Sequence, residues 1–206
     1  MPYGYLGEQP IQSKSNSGVF NTVDALDLQS NGEWGGSLEH IETLTPSSVN
    51  SINCSVLPTN YNIIKIIYTV NVDSDSANVF RFNFFESGVE ETGNVYHYAQ
   101  LSCSPTSNAA VSATNSSDDL YLGNFSGLAS NGHAYFYNLS DNTKYSTYSY
   151  HVSDGAGAYY FGSGGLLQKS TVDQIKFRNG SATKVFTSGS EIKIYGVKEI
   201  WVIYDC

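Results

Sequence analysis

Paired acidic side chains occur twice in the sequence, as Glu90–Glu91 and Asp118–Asp119, and a third acidic group is spaced as Asp73 and Asp75 with Asn78 behind it. Two carboxyls hydrolyse glycosides when they face each other across a cleft and burial raises the pKa of one. These pairs fall in turn-like stretches, where solvent keeps carboxylates ionised, so no such cleft is expected. Asp73, Asp75 and Asn78 offer oxygen atoms of the kind calcium takes. The stretch lacks the spaced glycine and distal glutamate of an EF-hand loop, however, and a tight hairpin turn accounts for it. The four histidines, His40, His97, His133 and His151, sit in strand-like segments among aromatic and apolar residues, without HExxH or HxH spacing. Gly162-Ser163-Gly164 departs from the G-x-S-x-G spacing of a nucleophile elbow, and its glycines fit a turn or bulge. Cys54, Cys103 and Cys206 form neither a CxxC pair nor an even set. The first two read as buried free thiols and the third as exposed. The residues therefore point to no catalytic group, no metal ligand and no cofactor, and the chain reads as a non-enzyme.

Tyrosine is the residue type with the most to offer. Tyr145, Tyr148, Tyr150, Tyr159 and Tyr160 are interleaved with Ser, Gly and Asn, a composition that suits binding surfaces because a tyrosine gives broad amphipathic contact at small entropy cost. Tyr148 and Tyr150 lie two residues apart and share one face of a strand. They form either a strip for stacking a sugar or docking a protein, or part of a sandwich core with hydroxyls at its rim.

The elements that hold these residues are strands. "SVNSINCSVL" (48–57) and "NVFRFNFFES" (78–87) alternate, with Phe80, Phe82 and Phe84 on one side and Arg81, Asn83 and Phe85 on the other. "YNIIKIIYTVNV" (61–72) is β-branched enough for a central strand buried on both faces, interrupted only by Lys65. The linker "DSDSA" makes a hairpin of the last two. Residues 104–119 read as a polar loop or weak edge, and "HAYFYNL", "KYSTYSYHV", "AYYFGSGGLL", "VDQIKF", "EIKIYGV" and "EIWVIYD" continue the pattern. About ten short strands with Gly, Asn and Asp turns predict an all-β, jelly-roll-like two-sheet β-sandwich over residues 37–206.

Residues 1–36 differ. An arm with Pro2, Gly4, Gly7 and Pro10 leads into "GVFNTVDALDLQSNGEWGG" (18–36), which predicts a helix of about two turns, capped by Asn21 or Thr22 and stopped at Gly32. A helix so short needs a partner for its apolar face. Phe20, Val23, Leu26 and Trp34 are the expected assembly contacts. The net charge of −9 disfavours nucleic acid, whose affinity comes mainly from Lys and Arg on phosphates. No window reaches the ~20 apolar residues of a membrane span, and the start lacks a signal-peptide pattern, so synthesis in a cytoplasm without membrane insertion is expected.

Several stretches carry a resemblance: "MPYGYLGEQP", "GVFNTVDALDLQSNGEW", "RFNFFESGVEETGNVYHYA", "YFYNLSDNTKYST", "VDQIKF" and "EIKIYGVKEI". Together the chain resembles small virion structural proteins, tail-fibre-like or capsid-decorating, of tailed bacteriophages, particularly those of marine cyanobacteria. The likeness covers most of the chain and thins over 102–130. "VIYDC" runs past the usual stop near the "YGVK" strand, so no role is assigned to the extension after Lys198. The resemblance implies a jelly-roll type of sandwich on the virion exterior, made in the host cytoplasm and attached through its N-terminal segment to other virion proteins. It also implies a homo-oligomer, a trimer being favoured. A second expectation is an adhesin for a host-surface glycan that binds through Tyr148 and Tyr150.

Overall fold

A computed structural model describes residues 38–73, 78–125 and 129–197. The predicted arm and helix, with Phe20, Val23, Leu26 and Trp34, lie outside the described residues, as do Asp75, the stretch after Lys198 and Cys206. Within them are thirteen strands and no helix: β1 (Leu38–Leu44), β2 (Ser51–Asn53), β3 (Ile63–Asn71), β4 (Asn78–Glu86), β5 (Val89–Glu90), β6 (Tyr96–Ser104), β7 (Ser107–Ser117), β8 (Leu120–Phe125), β9 (Ala129–Tyr137), β10 (Thr147–Asp154), β11 (Tyr159–Leu166), β12 (Gln174–Asn179) and β13 (Glu191–Val197). They form an eight-stranded sheet in the order β1-β13-β3-β9-β10-β11-β6-β7 and a five-stranded sheet in which β2-β12-β4-β5 is joined by β8 on β4. All the described ladders are antiparallel. The described residues are thus all-β and form two sheets.

Two local expectations change, and of the two readings of residues 104–119 the edge strand holds. β3 is buried on one face only: Ile64, Ile66, Tyr68 and Val70 are sealed, while Ile67 on the other side is 40% exposed. It makes no hairpin with β4, because β3 pairs with β13 and β9 whereas β4 pairs with β12 in the other sheet. The Ser-rich stretch 104–119 carries β7, an eleven-residue edge strand.

Alternation within β4 sends Phe80, Phe82 and Phe84 inward, where none has measurable exposure. Phe82 meets Phe136 and Tyr148 edge-on, at centroid separations of 5.2 and 4.9 Å. The glycines of β11 serve this core rather than a turn. In register, Tyr148 faces Gly164 and Tyr150 faces Gly162, and in the neighbouring ladder Tyr68 faces Gly132. A methyl group at Gly164 would lie 2.8 Å from Tyr148 Cε1, and one at Gly132 would lie 2.8 Å from the Tyr68 hydroxyl. Each tyrosine ring thus packs against a glycine in the next strand of the same sheet.

The hydroxyls of Tyr68 and Tyr148 cross to the opposite sheet, while that of Tyr150 bonds Gln100 of its own sheet. β8 carries a bulge: Phe80 pairs with Gly123 and Arg81 with Tyr121, which leaves Leu122 as the extra residue. A bulge breaks the ladder and leaves backbone groups without strand partners. Tyr68 donates to the Leu122 carbonyl at 2.7 Å and Tyr148 to the Tyr121 carbonyl at 2.8 Å. Gly123, at φ +144°, follows the bulge in a conformation that favours glycine.

Burial pushes Tyr68, Tyr96, Tyr121, Tyr148 and Tyr150 above the ordinary phenol value of 10.0. The unfolded chain releases these protons near pH 10 and the folded one retains them. Their contribution is therefore intact below pH 10 and lost above it, at about 1.4 kcal/mol per pH unit for each group. Denaturant unfolding followed from pH 8 to 11 should show stability falling steeply past pH 10. Absorbance at 295 nm should show these tyrosines titrating only as the protein unfolds.

Candidate functional site

The outer face of the eight-stranded sheet turns away from the core. Residues directly opposite in neighbouring strands point to the same face, so the registers fix its rows. One row runs Ile67, His133, His151, Phe161, Leu101, Val111, and the next runs Lys65, Tyr135, Ser149, Ser163, Ala99, Ala113. A third runs Ile63, Tyr137, Thr147, Gly165, His97. The middle row becomes small after Tyr135. A trough follows along Ser149, Ser163, Ala99 and Ala113, lined also by Tyr137, Thr147, His97, Thr114 and Leu167.

The trough has a volume of about 770 Å³, within the range of pockets that take small ligands. Tyr135 and Tyr137, two residues apart on β9, set their rings 6.5 Å apart at only 21° to each other. Lys65 Nζ sits 5.2 Å over the Tyr135 ring. His133 continues the strip at 5.8 Å from Tyr135, His151 lies 5.2 Å from His133, and Phe161 lies 4.9 Å from His151. Burial, followed by the charges of His151 and Lys65, lowers the His133 pKa from its ordinary 6.5. Such a surface offers flat apolar faces for a ring to lie on and hydroxyls at Ser149, Ser163 and Thr147 for hydrogen bonding. A second hollow of about 570 Å³, lined by Thr45, Thr69, Ser188, Ser190 and Glu191 among others, has no aromatic side chain.

The residues singled out from the sequence are distributed differently. Tyr148 and Tyr150 do share a strand face, but it is the one turned to the other sheet, and each is 1% exposed. The glycine notches opposite them are the physical reason, since they admit the rings inward. The outward positions of β10 are held by their neighbours Thr147, Ser149 and His151. Tyr145 and Tyr159 are about half exposed, and Tyr160 is buried with its hydroxyl on Asn124 and Asp154.

Three of the four paired carboxylates are held in structural contacts, and Asp118 is exposed. Asp119 is buried between Arg81 and Arg178, and Glu90 is paired with Lys176 at 2.7 Å. Glu91 accepts from the Gly93 amide and, together with Glu86, from the Gln168 side chain. Cys54 is buried and accepts from the Ile175 amide at 3.1 Å, and burial pushes its thiol up to about 12. Cys103 is a half-buried free thiol. Among the described residues no group of three or more His, Cys, Asp or Glu side chains converges as metal ligands do.

Tyr135 and Tyr137 were the residues that sequence reasoning passed over. The signal was present in "HAYFYNL": three consecutive aromatics on a strand must put at least one on each face. Which parity faced out depended on the register with β3 and β10.

No family model and no curated protein matches the chain. Among solved structures, it is similar to the β-fructofuranosidase from Schwanniomyces occidentalis complexed with fructosyl-erythritol, at 11% identity and a TM-score of 0.35. That likeness covers 80% of this chain, which spans only 35% of the length of the other. It is also similar to the CBM2 module of the Lactobacillus casei BL23 phage J-1 evolved Dit, at 12% identity and a TM-score of 0.24, over 81% of this chain and 82% of that one. Both likenesses are too slight to assign a ligand or a role.

Proposed function

We propose that this protein is a non-enzymatic component of a phage exterior whose eight-stranded sheet binds carbohydrate of the host surface along its outer face. The observation that carries the binding reading is the trough itself, with a floor of Ser and Ala, a volume of about 770 Å³, and Tyr137 in its wall, whose ring lies near-parallel to that of Tyr135 next to it. Sugars present apolar C–H faces and a rim of hydroxyls, and an aromatic strip over a hydroxyl-bearing floor answers both. The particle reading rests on the resemblance of the quoted sequence motifs to virion proteins. On that reading the sandwich winds as a jelly roll and assembles as a trimer. Residues 1–36 attach it to other virion proteins, with Phe20, Val23, Leu26 and Trp34 as the contacts.

A panel of bacterial-surface and algal polysaccharides, measured by calorimetry against the full chain, tests the binding reading. Tyr135→Ala and Tyr137→Ala should each weaken binding about tenfold, equivalent to ~1.4 kcal/mol, while the melting temperature stays within a few degrees because neither ring lies in the core. Binding that survives both substitutions, or no binding across the panel, sinks it.

A further inference from the structure

The charges on this face are distributed unlike those of the rest of the chain. The protein carries nineteen Asp and Glu against ten Lys and Arg, a net charge of −9. At the outward positions of the eight-stranded sheet, the registers place Lys65, Lys193 and all four histidines, His40, His97, His133 and His151. Among the described residues the one carboxylate at these positions is Glu191, at the end of β13, and Lys193 neutralises it at 2.8 Å. Asp154, the acidic residue of β10, points inward and holds the turn amides of Ala156 and Ala158. β6, β7, β9 and β11 contain no acidic residue at all.

Lys65 is the fixed charge beside the trough. Half-buried, it makes no ion pair among the described residues, and its ammonium rests over the Tyr135 ring. A cation on an aromatic face is held only weakly where solvent reaches it, so it is free to meet an anion that comes to lie along the same ring. Elsewhere the net negative charge repels anions. Here the surface is neutral to positive and bordered by walls of low polarity, which strengthen a local charge interaction.

We infer that the carbohydrate taken by this face is acidic, a glycan bearing carboxylate, sulfate or phosphate groups, with one anionic group seated on Lys65 while its ring lies along Tyr135 and Tyr137. This inference rests on the carbohydrate-binding reading and narrows its ligand class.

Binding of three polymers to the full-length protein decides it: polygalacturonate, dextran sulfate and uncharged dextran, each at 50 and 500 mM salt. The expected result is that at least one acidic polymer binds about tenfold or more tighter than dextran at low salt and loses most of that advantage at high salt. Lys65→Gln should abolish the preference with the melting temperature unchanged, and polygalacturonate against dextran sulfate tells a carboxylate ligand from a sulfate-like one. Equal or tighter binding of dextran that depends on Tyr135 overturns the acidic assignment and leaves the carbohydrate reading standing. No binding of any polymer removes both. Acidic binding that ignores Lys65→Gln and Tyr135→Ala overturns the proposal by placing the interaction elsewhere.

Discussion

Asp119→Ala should destabilise the protein by about 3–5 kcal/mol, the cost of leaving buried charges without their partner, and lower the melting temperature by roughly 10 °C. Arg81 and Arg178 stand directly opposite each other on β4 and β12, an arrangement of like charges that a sheet tolerates poorly. Asp119, 2% exposed at its side chain, answers both: one carboxylate oxygen takes Arg81 Nη1 at 2.6 Å and the other takes Arg178 Nη2. Arg178 Nε donates in turn to Asn83 Oδ1 at 3.0 Å, and Asn83 donates to the Asp118 carbonyl at 2.6 Å, so the β7–β8 turn is fastened to the outside of the five-stranded sheet. Burial raises the Asp119 carboxyl above its ordinary value while the two guanidinium groups pull it down. The charge is tolerated there only while both arginines hold it. Asp118→Ala, one position away and exposed, should change stability by no more than about 0.5 kcal/mol. Denaturant melts of the two variants make the comparison, and a mild Asp119→Ala would mean that the cluster is not a unit.

Tyr148→Ala should be as damaging, about 3–5 kcal/mol, through the cavity left by an aromatic ring. The ring contacts Phe82 at 4.9 Å, Tyr150 at 5.6 Å and Phe136 at 6.1 Å. Its hydroxyl donates to the Tyr121 carbonyl at the bulge. Tyr148→Phe keeps the packing and removes only that donor, and about 1–2 kcal/mol is expected for the carbonyl left without it. If both variants melted like the wild type while glycan binding fell, Tyr148 would belong to the binding face and the parity of β10 would have to be reversed.

That parity is where the sequence stopped being legible. The inward phenylalanines of β4 could be read directly, because Phe80, Phe82 and Phe84 alternate with Arg81 and Asn83 and only one arrangement buries the apolar set. β10 alternates just as regularly, as Thr147-Tyr148-Ser149-Tyr150-His151, but tyrosine is at home both in a core and on a binding face. The decision lay in Gly162 and Gly164, whose notches matter only once β11 is known to lie beside β10. In the same way, β3 looked buried on both faces because its apolar run is unbroken apart from Lys65. Its outer side is in fact turned away from the core, with Ile67 exposed and Lys65 over the Tyr135 ring. The trough itself could not be read from any single segment, since its floor takes residues from β10, β11, β6 and β7, and only the registers of three ladders bring them into line.

The central claim is that the outer face of the eight-stranded sheet is where a glycan binds. An amide chemical-shift titration of the full chain with the tightest binder of a polysaccharide panel tests it most directly. Shifts are expected to concentrate at Tyr135–Tyr137, Thr147–Ser149, Ser163 and the facing residues of β6, with β4 and β12 unmoved. Shifts centred on the five-stranded sheet, or an unperturbed β9 and β10 at saturating glycan, would contradict it.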